Sequence, residues 1–140
     1  MANHVTMNSL VICCIDGRMK LSALAELFAQ NSLPEGTYDK VFLAGSGMAL
    51  IKGTMTEEQA LLEQIRLAKK LHQINEVVVV LHDDCGAYRI HDPIAEAEVQ
   101  EKDLVTIAQK LKGIFLNLGV RGGIIKGTAS GELSLALEIL

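Results

Sequence analysis

Two apolar runs with few polar interruptions dominate the hydrophobic pattern of this chain. The first run covers residues 9–15, and the second, which is rich in β-branched residues, covers residues 76–81. Unbroken apolar runs of this length are typical of strands that are buried on both faces of a parallel sheet. We therefore predict that the two runs form the first and third strands of such a sheet.

Helical patterns lie between and after these runs. Leu21, Leu24 and Phe28 fall on one helical face and predict a helix over residues 20–30. Thr56-Glu57-Glu58-Gln59 fits a capping box, which places the start of a second helix at Thr56. Asp92-Pro93 is a capping residue followed by a proline of the first turn, and it opens a third helix that ends between residues 111 and 116.

The alternation of strands and helices predicts the fold class. Further strands are expected at residues 40–44, 122–128 and 132–137. Strands that alternate with helices form a mostly parallel sheet with helices on both faces. We therefore predict an α/β fold with three layers (α/β/α), a strand order of 2-1-3-4 and an antiparallel C-terminal edge strand. Such sheets bind ligands at the carboxyl ends of the strands, where the strand order reverses.

Composition narrows the classes of protein to which the chain can belong. We expect residues 1–140 to form a single domain, with residues 1–8 as a lead-in and no visible signal peptide. The net charge of −4 argues against a surface for nucleic acid or for an anionic membrane. No apolar run approaches the roughly 20 residues that span a bilayer. Three cysteines are a poor disulfide framework, so we expect a reduced, cytoplasmic setting.

Side chains suited to metal chemistry follow both central strands. Cys14, Asp16 and Arg18 stand at alternate positions after the first strand, and His82 and Cys85 follow the third. If the two strands are neighbours, the two thiolates and the imidazole supply three of the four ligands of a tetrahedral zinc ion. The fourth position is then left for water or for Asp16.

This set of residue types fits a hydrolytic or hydrating metal site. Water bound to zinc loses its proton near neutral pH, and the resulting hydroxide is a nucleophile. The carboxylate of Asp16 can orient that hydroxide, and Arg18 can pair with Asp16 and keep it ionised.

Other polar or reactive residues have simpler interpretations. Cys13 is expected to be a small buried hydrophobe. The turn Gly45-Ser46-Gly47 could cradle an anion, although glycine turns after parallel strands are common. Five residues around the second motif could line the pocket or shuttle protons, but they are expected to belong to a solvated loop: Asp83, Asp84, Tyr88, Arg89 and His91.

The two motifs together resemble those of the β-class carbonic anhydrases. The family's Cys-x-Asp-x-Arg motif corresponds to Cys14-Ile15-Asp16-Gly17-Arg18, and its His-x-x-Cys-Gly motif to His82-Asp83-Asp84-Cys85-Gly86. The resemblance implies Zn²⁺ on Cys14, His82 and Cys85, with Asp16 and Arg18 as a catalytic dyad. It also implies reversible hydration of CO₂ to bicarbonate, faster above neutral pH, in a homodimer or a dimer-based oligomer.

The sequence also departs from the family. Where well-studied members carry Arg-Asn-Ala-Gly after the second strand, this chain has the segment 43–47, and the long N-terminal helical arm has no counterpart. These departures predict a compact, divergent member. Two alternatives to a CO₂ hydratase therefore remain open: a non-catalytic metal-binding or regulatory protein, and a hydrolase of another small linear substrate such as CS₂ or COS.

Overall fold

A computed structural model describes residues 5–140 of the chain, so part of the predicted lead-in lies outside the described residues. The helices and strands follow one another in the order β1 (Ser9–Cys13), α1 (Leu21–Gln30), β2 (Tyr38–Phe42), a 3₁₀ turn (Ser46–Met48), α2 (Ala49–Lys52), α3 (Met55–His72), β3 (Glu76–His82), α4 (Pro93–Ile114), β4 (Gly119–Ile125) and β5 (Glu138–Ile139). The element types match the prediction, except that the 3₁₀ turn and α2 were not foreseen.

The sheet has the predicted strand order. Its five strands lie in the order β2-β1-β3-β4-β5, in which the first four are parallel and β5 pairs antiparallel with β4. Every residue of β1 is buried, as are all residues of β3 after Glu76. The two apolar runs therefore form the centre of the sheet, where both faces are covered and water has no access.

Helices cover both faces of the sheet. Along β2, Tyr38 and Phe42 line a cavity with Leu24 of α1, whereas Val41 lines a cavity with Leu67 of α3. Because successive side chains of a strand point to opposite faces, α1 and α3 lie on opposite sides. Helix α2 contacts both α3 and α4, which places these three helices in one layer. The three-layer α/β/α prediction is confirmed.

The predicted capping residue of the long helix α3 was wrong by two positions. The capping residue is Thr54 and not Thr56: the hydroxyl oxygen of Thr54 accepts a hydrogen bond of 3.2 Å from the backbone N–H of Glu57. Thr54 and Glu57 have the same three-residue spacing as the predicted pair. The sequence offers two threonines two residues apart. Gly53, where a Cβ atom would lie 2.7 Å from the carbonyl oxygen of Ala49, ends α2 directly before Thr54.

The predicted last strand over residues 132–137 was also wrong. This segment makes a single bridge to the sheet, between Lys126 and Ser134, and the antiparallel edge strand is β5. A Cβ atom at Gly123 would lie only 2.5 Å from the carbonyl oxygen of Ala136. The glycine in β4 therefore leaves space for the C-terminal segment to pass close to the strand before it pairs.

No helix among residues 5–140 is long and apolar enough to cross a membrane.

The cap of α3 gives a direct test of this local structure. Replacing Thr54 by Ala is expected to lower the free energy of unfolding by about 1 kcal/mol, because the N–H of Glu57 loses its acceptor. Thermal denaturation should show a decrease of about 3 °C in Tm. The matched control Thr56→Ala, at an exposed position inside the helix, is expected to leave Tm nearly unchanged. A larger loss for Thr56→Ala than for Thr54→Ala would contradict this assignment.

Candidate metal centre

Cys14, His82 and Cys85 come together at the carboxyl ends of β1 and β3. Cys14 directly follows β1, His82 is the last residue of β3, and Cys85 lies three residues further. The two sulfur atoms and a ring nitrogen of His82 all lie within 4.8 Å of one another, and all three residues are buried. Metal bonds to sulfur and nitrogen are about 2.0–2.3 Å long, so one ion could contact all three groups after small adjustments.

The hydrogen bonds of His82 leave one ring nitrogen available for a metal. Its Nδ1 lies 2.7 Å from the carbonyl oxygen of Asp83, and because a carbonyl can only accept, Nδ1 carries the proton. Nε2 is buried and makes no hydrogen bond among the described residues. A carbonyl that fixes the tautomer in this way is typical of metal-binding histidines. The orientation of His82 therefore fits a metal ligand.

The two thiols of the cluster shift the pKa of each other in opposite directions. The Cys85 thiol donates a hydrogen bond to the Cys14 sulfur, which lowers the pKa of Cys14 far below that of an ordinary thiol. The backbone N–H groups of Gly45 and Asp16 act in the same direction. The neighbouring Cys14 thiolate in turn raises the pKa of Cys85. These contacts favour a thiolate at Cys14, and a cation at the centre of the cluster would favour a second thiolate.

Cys13 behaves differently from its neighbour. It is the last residue of β1 and is only 1% exposed, which agrees with the expectation of a small buried hydrophobe. Burial raises its pKa to about 12, so it remains a neutral thiol at physiological pH.

Asp16 and Arg18 form an ion pair beside the cluster. The Arg18 guanidinium donates to both carboxylate oxygens of Asp16, with a shortest contact of 2.8 Å from Nη2 to Oδ2. These bonds hold the pKa of Asp16 at about 2, so the carboxylate is ionised at neutral pH. Its Oδ2 lies 4.0 Å from Nε2 of His82, beyond hydrogen-bond distance. An ionised carboxylate therefore lies directly beside the three possible ligands.

Arg18 also binds the second motif, a contact that the sequence interpretation missed. Its Nη1 lies 2.7 Å from Oδ2 of Asp84, and its Nη2 donates to the backbone carbonyl of Asp84 at 2.9 Å. Arg18 thereby connects the loop after β1 with the loop after β3. The two side chains are largely exposed, so this pair contributes little to stability and acts by positioning.

The expectation of a solvated loop around the second motif was wrong for Tyr88, which is buried, and incomplete for Asp83 and Asp84, which also bind neighbouring groups. Besides Asp84, the carboxylate of Asp83 accepts hydrogen bonds from the backbone N–H groups of Gly127 and Thr128, at 2.8 and 2.9 Å. Tyr88 is buried, and its hydroxyl donates to Asp103 at 2.9 Å. Arg89 and His91 are exposed, as expected.

Helix α4 supplies buried polar side chains that the sequence interpretation did not consider. Glu96 accepts from the backbone N–H groups of Asp84 and Cys85, and Gln100 donates to the carbonyl of His82 at 2.8 Å. A signal for them was present, because Glu96, Gln100 and Leu104 recur at helical spacing on the buried stripe. Polar residues on an otherwise apolar helical stripe indicate partners inside the fold.

The turn Gly45-Ser46-Gly47 supports the cluster from within the fold. The N–H of Gly45 points at the Cys14 sulfur, and the Ser46 hydroxyl donates to the carbonyl of Ile12 at 3.0 Å. A Cβ atom at Gly47 would lie 2.8 Å from Val79, so the turn packs directly on β3. These contacts favour a structural role for the turn over the anion cradle considered above.

Comparison with known proteins agrees with this geometry. Residues 5–129 match the model of a family described as "Putative carbonic anhydrase". This chain belongs to that family. Together with the fold, the match confirms the resemblance to the β-class carbonic anhydrases that the two motifs predicted.

Individual relatives differ considerably from this carbonic-anhydrase-like chain. An uncharacterized protein of Rickettsia conorii is 33% identical over 97 residues, which cover 69% of this chain and 51% of that protein. The chain thus spans about half the length of this curated relative.

Solved structures share the fold at low sequence identity. A carbonic anhydrase from Glaciozyma antarctica is 16% identical with a TM-score of 0.60, over 96% of this chain and 84% of the other. One of two tetrameric β-carbonic anhydrases from Sordaria macrospora is 13% identical with a TM-score of 0.61, over 97% and 81% of the two chains. At these identities the likeness shows the fold alone.

The electrostatics of the cluster predict which cysteine reacts first in metal-free protein. Iodoacetamide at neutral pH is expected to modify Cys14 before Cys13, because the thiolate is the nucleophile, and the pKa of Cys14 is lowered whereas that of Cys13 is raised to about 12. Tandem mass spectrometry of the adjacent pair distinguishes the two sites.

The variant Cys14→Ser should abolish the fast labelling, whereas Cys13→Ser, the matched control, should retain it. Labelling of Cys13 at the same rate as Cys14 would contradict the assigned charge state.

Proposed function

We propose that this chain is a zinc-dependent lyase of the carbonate dehydratase type, which hydrates CO₂ to bicarbonate. The observation that carries the proposal is the buried cluster of Cys14, His82 and Cys85 beside an ionised Asp16. Two thiolates and one imidazole suit zinc better than harder cations such as Mg²⁺, and they leave one coordination position open. Membership of the carbonic-anhydrase-like family supports the same conclusion.

The residues of the chain have distinct roles in this proposal. Zinc would supply a Lewis acid that activates water as a nucleophile near neutral pH. Asp16 accepts a hydrogen bond from the attacking water and directs it towards the carbon of CO₂. Arg18 keeps Asp16 ionised and holds its carboxylate in one orientation, because it donates to both oxygens.

A second function, metal binding without catalysis, is supported by the turn after β2. Gly45 and Gly47 carry no side chains, and the Ser46 hydroxyl is already bonded to the carbonyl of Ile12. This turn therefore offers no free polar side chain to a substrate. Hydrolysis of CS₂ or COS is a third possible function, and the activity experiment below distinguishes it from the other two.

Metal analysis tests the zinc site. Protein purified without chelator or added metal is expected to contain about one zinc ion per chain, because three buried ligand groups converge. Elemental analysis by mass spectrometry provides the measurement.

The variant Cys14→Ser should lose the metal, and Cys13→Ser is the matched control that should keep it. Folded wild-type protein that neither contains nor takes up zinc would refute the proposal.

Activity measurements test the role of Asp16. The rate of CO₂ hydration should fall at least about tenfold in Asp16→Asn, because the amide is neutral and no longer a strong acceptor. In the wild type the rate should rise between about pH 6 and 9, because activation of water by a metal requires the loss of a proton. Stopped-flow measurement with a pH indicator gives both the rate of the variant and the pH dependence of the wild-type rate.

The outcomes separate the three functions. Zinc-loaded wild type with no CO₂ hydration would favour a non-catalytic metal-binding protein, and sulfide release from COS or CS₂ would favour the hydrolase. A flat pH profile would contradict the proposed mechanism.

We also propose that the chain forms a homodimer through the surface near the cluster. Ile15, Leu21 and Phe42 are 63%, 70% and 38% exposed, and the last two line one surface cavity. Large apolar side chains contribute about 1.5–3 kcal/mol each when they become fully buried. The tetrameric relative from Sordaria macrospora is compatible with assembly of this fold.

Light scattering at micromolar concentration is expected to give the mass of two chains. Ile15→Lys should shift the mass towards one chain, because a charge would be buried in the interface. The matched control is Leu116→Lys. Leu116 is also exposed, but it lies between α4 and the start of β4, at the end of the sheet opposite to the cluster. A monomeric wild type would refute the homodimer.

A further inference from the structure

A buried carboxylate on α4 binds the loop that carries two of the three possible ligands. Glu96 is only 3% exposed, and it lies in the first turn of the helix. Its Oε1 accepts from the backbone N–H of Asp84 at 2.7 Å, and its Oε2 accepts from that of Cys85 at 3.0 Å. Both oxygens of the carboxylate are therefore used by consecutive residues of the same loop.

The conformation of the loop explains why a carboxylate is suited to this position. Asp84 has a φ of 51°, in the left-handed region that is uncommon for residues other than glycine. The N–H groups of Asp84 and Cys85 both bond to this one carboxylate, and two such groups side by side form a binding site for an anion. The bond from Cys85 is buried and that from Asp84 is partly buried, so loss of the acceptor would leave backbone donors without partners.

The same helix holds the other end of the loop. The amide group of Gln100, one turn after Glu96, donates to the backbone carbonyl of His82 at 2.8 Å. The segment from His82 to Cys85 is therefore bonded to α4 at both ends. Cys14, in contrast, is bonded to the backbone of its own loop and of the turn after β2. Glu96 therefore acts only on the side of the cluster that carries His82 and Cys85.

We infer that Glu96 is a positioning residue for metal binding, because it fixes the backbone that orients the Cys85 sulfur towards the cluster. The inference rests on the proposed zinc site and extends it to a residue outside both motifs. Side chains that orient metal ligands typically change metal affinity by about 10- to 100-fold when they are replaced. A residue with a purely structural role would lower stability and leave the affinity of the folded protein unchanged.

Glu96→Gln provides the direct test. A glutamine keeps the size of the side chain but places an NH₂ group opposite one backbone N–H, so that two donors face each other in a buried position. The zinc dissociation constant, measured by competition with a chromogenic chelator, is expected to increase about tenfold or more. The visible spectrum of Co²⁺-loaded protein should change as well, since it reports the geometry of the thiolate ligands.

Two further variants separate positioning from stability. Glu76→Gln is the matched control: Glu76 also accepts several hydrogen bonds, from Ser9 and Arg121, but it lies at the opposite end of β3. It should lower Tm without weakening zinc binding. Glu96→Asp keeps the charge but has a shorter side chain, so an intermediate loss of zinc affinity is expected. If Glu96→Gln does not fold, the affinity of Glu96→Asp is measured in its place.

The outcomes distinguish the inference from the proposed function. Weaker zinc binding and an altered Co²⁺ spectrum in the Glu96 variants, with both unchanged in Glu76→Gln, would support the positioning role. Unchanged affinity in folded Glu96→Gln would overturn it and leave the zinc site intact. A wild type that binds neither Zn²⁺ nor Co²⁺ would refute the proposed function and the inference with it.

Discussion

The parallel pairing of β1 with β3 is the constraint on which the rest of the structure depends. Four backbone positions are aligned between these strands, from Ser9 opposite Glu76 to Ile12 opposite Val79. This register brings Cys14 and His82, 68 positions apart in the chain, to one edge of the sheet. Both strands are buried on both faces, so a shift of one residue would exchange the side chains that pack against the two helical layers and would separate the possible ligands.

Around this pairing, a set of polar contacts supports the cluster from different directions. Arg18 joins the loops after β1 and β3, because it binds both Asp16 and Asp84. Glu96 and Gln100 hold the second loop from helix α4. Each contact ends on a backbone group or on a charged partner, which restricts the loops without filling the space between the thiols and the imidazole. A site organised in this way requires little rearrangement to accept an ion.

The family and the fold carry less information about activity than the arrangement of the site. The chain belongs to the carbonic-anhydrase-like family, yet the solved structures that share its fold are 16% and 13% identical and so inform on architecture alone. One fold can support unrelated functions, and function depends on the groups at the site. For this chain those groups are two cysteines and one histidine that could hold a metal ion, with an ionised aspartate beside them.

Local sequence patterns determined the central strands, the long helices and the two motifs, because apolar runs and motif spacing are properties of neighbouring residues. The capping residue Thr54 and the path of residues 132–137 were decided by tertiary packing, in which Gly123 leaves space for the C-terminal segment. The roles of Asp84 and Glu96 were also decided there. Their partners lie 66 and at least 11 positions away, and such contacts form only after the sheet and α4 are assembled.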